Sequence, residues 1–96
     1  MTVVFLPGAL ADLRWFHRYY TQRFPAGREG AGRRLRAVLA LLGDNPRIGR
    51  AVDGESGLRR YPVPRTPFTV LYRLRAGRLE ILRVYDQRSA FANRGE

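Results

Sequence analysis

The chain has 96 residues, a hydrophobic fraction of 45% and a net charge of +10. That length suits one domain, residues 1–96, whose modest core buries roughly two thirds of the unfolded surface, and a single-domain organisation is expected. No apolar run approaches the ~20 residues that cross a bilayer, and one histidine without any cysteine makes neither a metal site nor a disulfide. Membrane-spanning, metal-centred and disulfide-framework classes are set aside.

The stretch Met-Thr-Val-Val-Phe-Leu-Pro-Gly lacks the charged and long apolar regions of a signal peptide, so a soluble cytoplasmic location is expected. Residues 2–6 are β-branched and apolar and stop at Pro7-Gly8, which reads as a short strand and a turn. From Ala9 to Phe24, the residues Ala9, Leu10, Leu13, Phe16, His17, Tyr20 and Phe24 recur at helical spacing. An amphipathic helix is expected there, with that stripe buried and His17 packed inside it. At ~100° per residue, Trp15 then points nearly opposite the stripe and Tyr19 lies well away from its centre. An outward Trp and Tyr among Arg14, Arg18 and Arg23 have the composition of a protein-binding patch. The alternative is that an apolar neighbour in the fold covers Trp15.

Gly27, Gly30 and Gly32 weaken the start of the next helix, which firms up through Ala31, Leu35, Val38, Leu39 and Leu42 and stops at Gly43-Asp44-Asn45-Pro46. Two helices joined by a short loop pack as an antiparallel hairpin. Arg47 to Gly57 is polar and glycine-rich and reads as a loop. Beyond it the period changes to that of strands: Leu58 to Pro64, Phe68 to Arg75, and Leu79 to Tyr85.

Ala76-Gly77 joins the last two strands as a tight turn, which sets Arg75 opposite Arg78, Leu74 opposite Leu79, Arg73 opposite Glu80, and Tyr72 opposite Ile81. Continued, the same register pairs Leu71 with Leu82 and Val70 with Arg83. One hairpin face then carries Phe68, Val70, Tyr72, Leu74 and Ile81, and the other keeps Leu71, Leu82 and Val84. The expected fold is α+β, in the order β-α-α-β-β-β, with a helical hairpin on one face of a small, mostly antiparallel sheet. Helices cover one face only, so the second apolar face is left for the C-terminal tail or a partner segment.

The element order, the stretch "LLGDNPRIGR" with Pro46 three residues before Gly49, the strands "LRRYPV" and "VLYRL", and the run "LEILRVYDQR" together resemble the RelE/ParE toxin superfamily of type II toxin–antitoxin systems, over roughly Val3 to Arg88. The resemblance implies a small growth-inhibiting toxin that needs no cofactor and forms a hetero-oligomer with an acidic antitoxin encoded next to it. That partner would cover Trp15, Tyr19, Arg18, Arg23, Leu71, Leu82 and Val84.

The superfamily has two biochemical branches. One resembles ribosome-dependent mRNA endonucleases, in which cations hold the scissile phosphate while a base and an acid serve the 2′-hydroxyl and the leaving oxygen. Arg60, Arg83 and Arg88 could supply cations here, and Tyr85 is the one protic candidate. Asp86 stands where many relatives carry His, and the tail from Ser89 to Glu96 holds neither Tyr nor His. The other branch, ParE-like, traps DNA gyrase by binding and lacks such a constellation; "ILRVYDQR" is more similar to its pattern. On that reading Arg83 and Arg88 are target contacts. In the plainest alternative, Arg83 pairs with Asp86 or Glu80 and Arg88 only caps the sheet. A bare nucleic-acid-binding module is a third class that the charge permits, although no strand shows the solvent-facing aromatic pair of an RNA-binding sheet.

Overall fold

The β-branched run at the N-terminus forms strand β1 (Thr2–Phe5), and the chain passes through one extended residue, Leu6, into helix α1 (Pro7–Arg18). Pro7 occupies the start of that helix, where its missing N–H forfeits no intrahelical bond. Pro7-Gly8 therefore opens the helix, in place of the expected turn. A π-helical turn (Tyr19–Arg23) and a 3-10 turn (Pro25–Gly27) lead into α2 (Arg28–Asp44). Strands β2 (Arg50–Ala51), β3 (Leu58–Pro62), β4 (Phe68–Arg75) and β5 (Arg78–Asp86) follow. The structure is a computed structural model that describes residues 1–23, 25–54 and 57–88. Phe24, the last residue of the expected α1 stripe, and the tail 89–96 lie outside the described residues.

The architecture is α+β, as expected, with one addition. The strands form a five-stranded sheet in the order β1-β5-β4-β3-β2, with β1 parallel to β5 and the other pairs antiparallel. The Arg47–Gly57 segment is not wholly loop, because Arg50 pairs with Arg60 and Ala51 with Arg59. The Phe16 ring meets Phe68 edge-on at 4.8 Å, which places the helical layer on the sheet face of Phe68, Val70 and Tyr72. Those three residues are buried together with Leu35, Val38 and Leu42 of α2 and with Leu79 and Ile81 of β5. Each such burial stabilises by about 1.5–3 kcal/mol relative to exposure.

Two departures reset which residues face the core. In α1 the buried positions are Ala9, Asp12 and Phe16, whereas Leu10 and His17 are exposed. A stripe counted from apolar residues alone omits Asp12 and turns the buried face too far toward Leu10 and His17. His17 is not a core residue: its Nε2 lies 3.4 Å from Thr21 Oγ1 on the exposed side.

In the hairpin, Ala76 and Gly77 both have positive φ (53° and 74°), which suits a two-residue turn matched to strand twist. The first four predicted pairs are present. The register then shifts at Leu71/Tyr72, where Leu82 is an extra residue on β5, so that Leu71 faces Arg83 and Val70 faces Val84. The expected pairs Leu71–Leu82 and Val70–Arg83 do not form. Because a one-residue bulge inverts the alternation beyond it, Val84 sits in the core at 0% exposure, and its placement on the open face is corrected.

Candidate partner-binding site

Strand β1 pairs with β5 only as far as Phe5 opposite Ile81, and the Leu6 N–H closes that ladder on the Ile81 carbonyl at 3.0 Å. Past this point Asp12 of α1 serves the β5 edge in place of a strand. Its Oδ2 accepts the Val84 N–H at 2.9 Å and Arg83 Nε at 2.7 Å, and its Oδ1 accepts Arg83 Nη2 at 3.0 Å. The fork is bidentate, the geometry in which guanidinium and carboxylate bind best. Hydrogen bonding to Asp12 raises the Arg83 pKa above its ordinary value. Arg83 is thus paired, but with neither Asp86 nor Glu80. Asp12 is the residue of this site that periodicity misses; its signal was an acid in the middle of an apolar helical face.

At the far end of β5 the buried Asp86 binds Arg88 three times: Oδ1 accepts the backbone N–H at 2.9 Å and Nε at 3.1 Å, and Oδ2 accepts Nη2 at 2.9 Å. Arg88 Nη2 also donates to Tyr19 Oη at 3.4 Å. These bonds, the one to Asp86 foremost, push the Arg88 pKa upward. Tyr19 does not stand away from the core. The wider π-helical turn brings both Tyr19 and Tyr20 to the sheet, with the Tyr19 ring edge-on to Tyr20 at 4.8 Å and to Phe68 at 5.5 Å. Trp15 is half-buried and meets Tyr19 edge-on at 6.2 Å, so an aromatic neighbour covers part of it. Arg18 and Arg23 are exposed, and Arg14, His17 and Arg18 border a shallow pocket along the outer side of α1.

The sheet face away from the helices follows from the register. Leu58 and Arg60 of β3, Leu71 and Arg73 of β4, Glu80 of β5 and Val4 of β1 share it. Glu80, at 5% exposure, accepts Arg73 Nε at 2.7 Å and lies 3.5 Å from Arg78 Nη2. The Arg73 hydrogen bond holds the Glu80 carboxyl below its usual pKa. Leu71, Leu82 and Tyr85 are half-buried, leaving apolar surface between the cations.

Of the nuclease candidates, Arg60 faces Leu71, which faces Arg83, so two strand spacings, ~10 Å, separate the Arg60 and Arg83 backbones. Tyr85 lies opposite Thr69, and the guanidinium groups of Arg83 and Arg88 turn to Asp12 and Asp86. Among the described residues, no group of three or more His, Cys, Asp or Glu could hold a metal ion, and no helix is long and apolar enough to cross a membrane.

A family model described as ParE toxin of type II toxin-antitoxin system, parDE, matches residues 3–91 of the chain. Among solved structures, the chromosomal ParDE TA system from P. aeruginosa contains a similar chain: 24% identity, 90% of this chain and 95% of that one covered, and a TM-score of 0.72. At that identity the likeness concerns the fold. No curated protein matches the chain.

Proposed function

The chain belongs to the ParE toxin family of type II toxin–antitoxin systems, and from that premise we propose that it arrests growth by binding DNA gyrase while an acidic antitoxin holds it in check. The observation that carries this reading is the engagement of Arg83 and Arg88. Each guanidinium binds a carboxylate of its own chain. The only histidine lies exposed on α1. An RNA-cleaving site needs free cations beside a general base and acid, and this arrangement supports binding over phosphoryl transfer. On this reading Arg83 and Arg88 are target contacts through their solvent-facing edges.

The antitoxin would take the half-buried Trp15 and Tyr19 with the exposed Arg18 and Arg23, and the apolar surface of Leu71 and Leu82. Val84 drops out of that set because it is enclosed in the core. A net charge of +10 favours an acidic partner and disfavours self-association.

The test is induction in a bacterial host without the antitoxin, with mRNA 5′ ends mapped across translated messages. Arrest with intact messages and a DNA-damage response is the expected result. New ends inside reading frames would replace this reading with that of a ribosome-dependent nuclease, with Arg60 and Tyr85 as its first candidates.

A further inference from the structure

Most cations on or beside the open sheet face have a carboxylate. Arg73 and Arg78 share Glu80, Arg83 takes Asp12, and Arg88 takes Asp86. Arg50 and Arg60 are different. They stand directly opposite each other on the antiparallel pair β2–β3, where like charges repel at a Cβ separation of about 5 Å. Neither makes an ion pair or a side-chain hydrogen bond among the described residues. Both line one open pocket with Ala51, Val52 and Asp53, and Asp53 forms no ion pair with either.

The segment leading to Arg50 is held from beneath. The Tyr72 hydroxyl donates to the Pro46 carbonyl at 2.8 Å and accepts the Gly49 N–H at 2.9 Å. Burial raises the Tyr72 pKa, which keeps that hydroxyl protonated as a donor. Arg59 Nη1 donates to the Gly49 carbonyl at 2.8 Å and to the Arg47 carbonyl at 3.2 Å. A Cβ at residue 49 would strike the Tyr72 hydroxyl and ring and lie 2.9 Å from the Arg60 carbonyl, so only glycine lets the backbone settle there. The Pro46-to-Gly49 spacing thus has a structural use: it seats the chain on Tyr72 and delivers Arg50 to its position opposite Arg60.

We propose that Arg50 and Arg60 form a clamp for a backbone phosphate of duplex DNA, at the β2 edge of the open sheet face. Two facing guanidinium groups suit a phosphate diester, which accepts several N–H bonds at once and removes the repulsion between them. The lining is mostly charged, and its apolar contribution is limited to Ala51 and Val52. A peptide would need a deeper apolar pocket for an anchoring side chain. The clamp follows from strand register and is independent of the gyrase reading.

The test is fluorescence anisotropy of the full chain with a short labelled DNA duplex across a salt series. The double variant R50Q/R60Q is expected to bind about tenfold more weakly or worse and to reduce the slope of log affinity against log salt by about 2. The charge-matched control R36Q/R65Q, at exposed positions of α2 and of the β3–β4 connection, is expected to lose no more than about threefold. Equal losses in the two variants would show general charge attraction and overturn the clamp. Unchanged DNA affinity with weakened antitoxin binding would assign the pair to a peptide carboxylate and overturn it too.

Melting gives a second measurement if the double variant folds poorly. Inorganic phosphate, compared with chloride at matched ionic strength, is expected to raise the Tm of the unmodified chain more than that of R60Q; equal shifts would count against the clamp. No gyrase enters these assays, so they stand or fall separately from growth arrest.

Discussion

Two pairs of arginines on one sheet have opposite fates. Arg83 and Arg88 stand out in the sequence as the ends of a polar run, and each is bound to an aspartate of its own chain. Arg50, in a stretch that the sequence reads as loop, and Arg60 face each other across β2 and β3 and have no such partner among the described residues. A run of charges thus reports little about which of them is available. Availability depends on whether the fold delivers a carboxylate, and at Arg83 that carboxylate arrives from a helix 71 residues earlier in the chain.

The largest test of the paired side is Asp12→Ala. It leaves the Val84 N–H without its acceptor and Arg83 without its counter-charge. The Arg83 side chain is 54% exposed, so solvent screens much of the charge cost and the stranded N–H contributes most. A loss of about 2–3 kcal/mol is expected in urea unfolding. Asp12→Asn keeps an acceptor for Val84 and should lose about 1 kcal/mol. Equal losses would mean that the ion pair, and not the strand-edge bond, is what Asp12 supplies.

A smaller effect should separate the Glu80 cluster from neutral-pH stability. The folded pKa of Glu80 lies below its ordinary 4.5, so the folded state binds the proton more weakly than the unfolded chain does. Its contribution is therefore fully present above pH 4.5 and is lost as pH falls through the folded value. Thermal melts from about pH 6 down to about pH 3 should show a steeper fall for the unmodified chain than for Glu80→Gln. Parallel curves would remove Glu80 from the acid response.

The alternation in β4, the Ala76-Gly77 turn and the first four hairpin pairs were legible because each is local, set by a period of two and a tight turn. Val84 was not, since one extra residue at Leu82 inverts everything beyond it and nothing in the side chains marks a bulge. Tyr19 was misplaced for a related reason: a π-helical turn changes the angle per residue that the helical wheel assumes constant. Asp12 was invisible to an apolar count although it lies at the centre of the buried face. Of the candidate site, only residue types were readable, the aromatics Trp15 and Tyr19 and the apolar Leu71 and Leu82, and not the contacts they make. The pairing of each arginine depended on tertiary register.

Arg88→Ala should have the smallest effect on stability, and the reason lies in how its bonds divide. One of the three contacts with Asp86 comes from the Arg88 backbone N–H, which alanine retains. The guanidinium that is lost is 67% exposed at its side chain, so solvent screens its ion pair and the pair contributes little to stability. The contact from Arg88 Nη2 to Tyr19 is long at 3.4 Å and adds little. A urea midpoint close to that of the unmodified chain, with an unchanged m-value, is therefore expected. A loss nearer that of Asp12→Ala would mean that the enclosure of Asp86, whose side chain is 7% exposed, governs the pair, and that Arg88 is held in place chiefly to neutralise it.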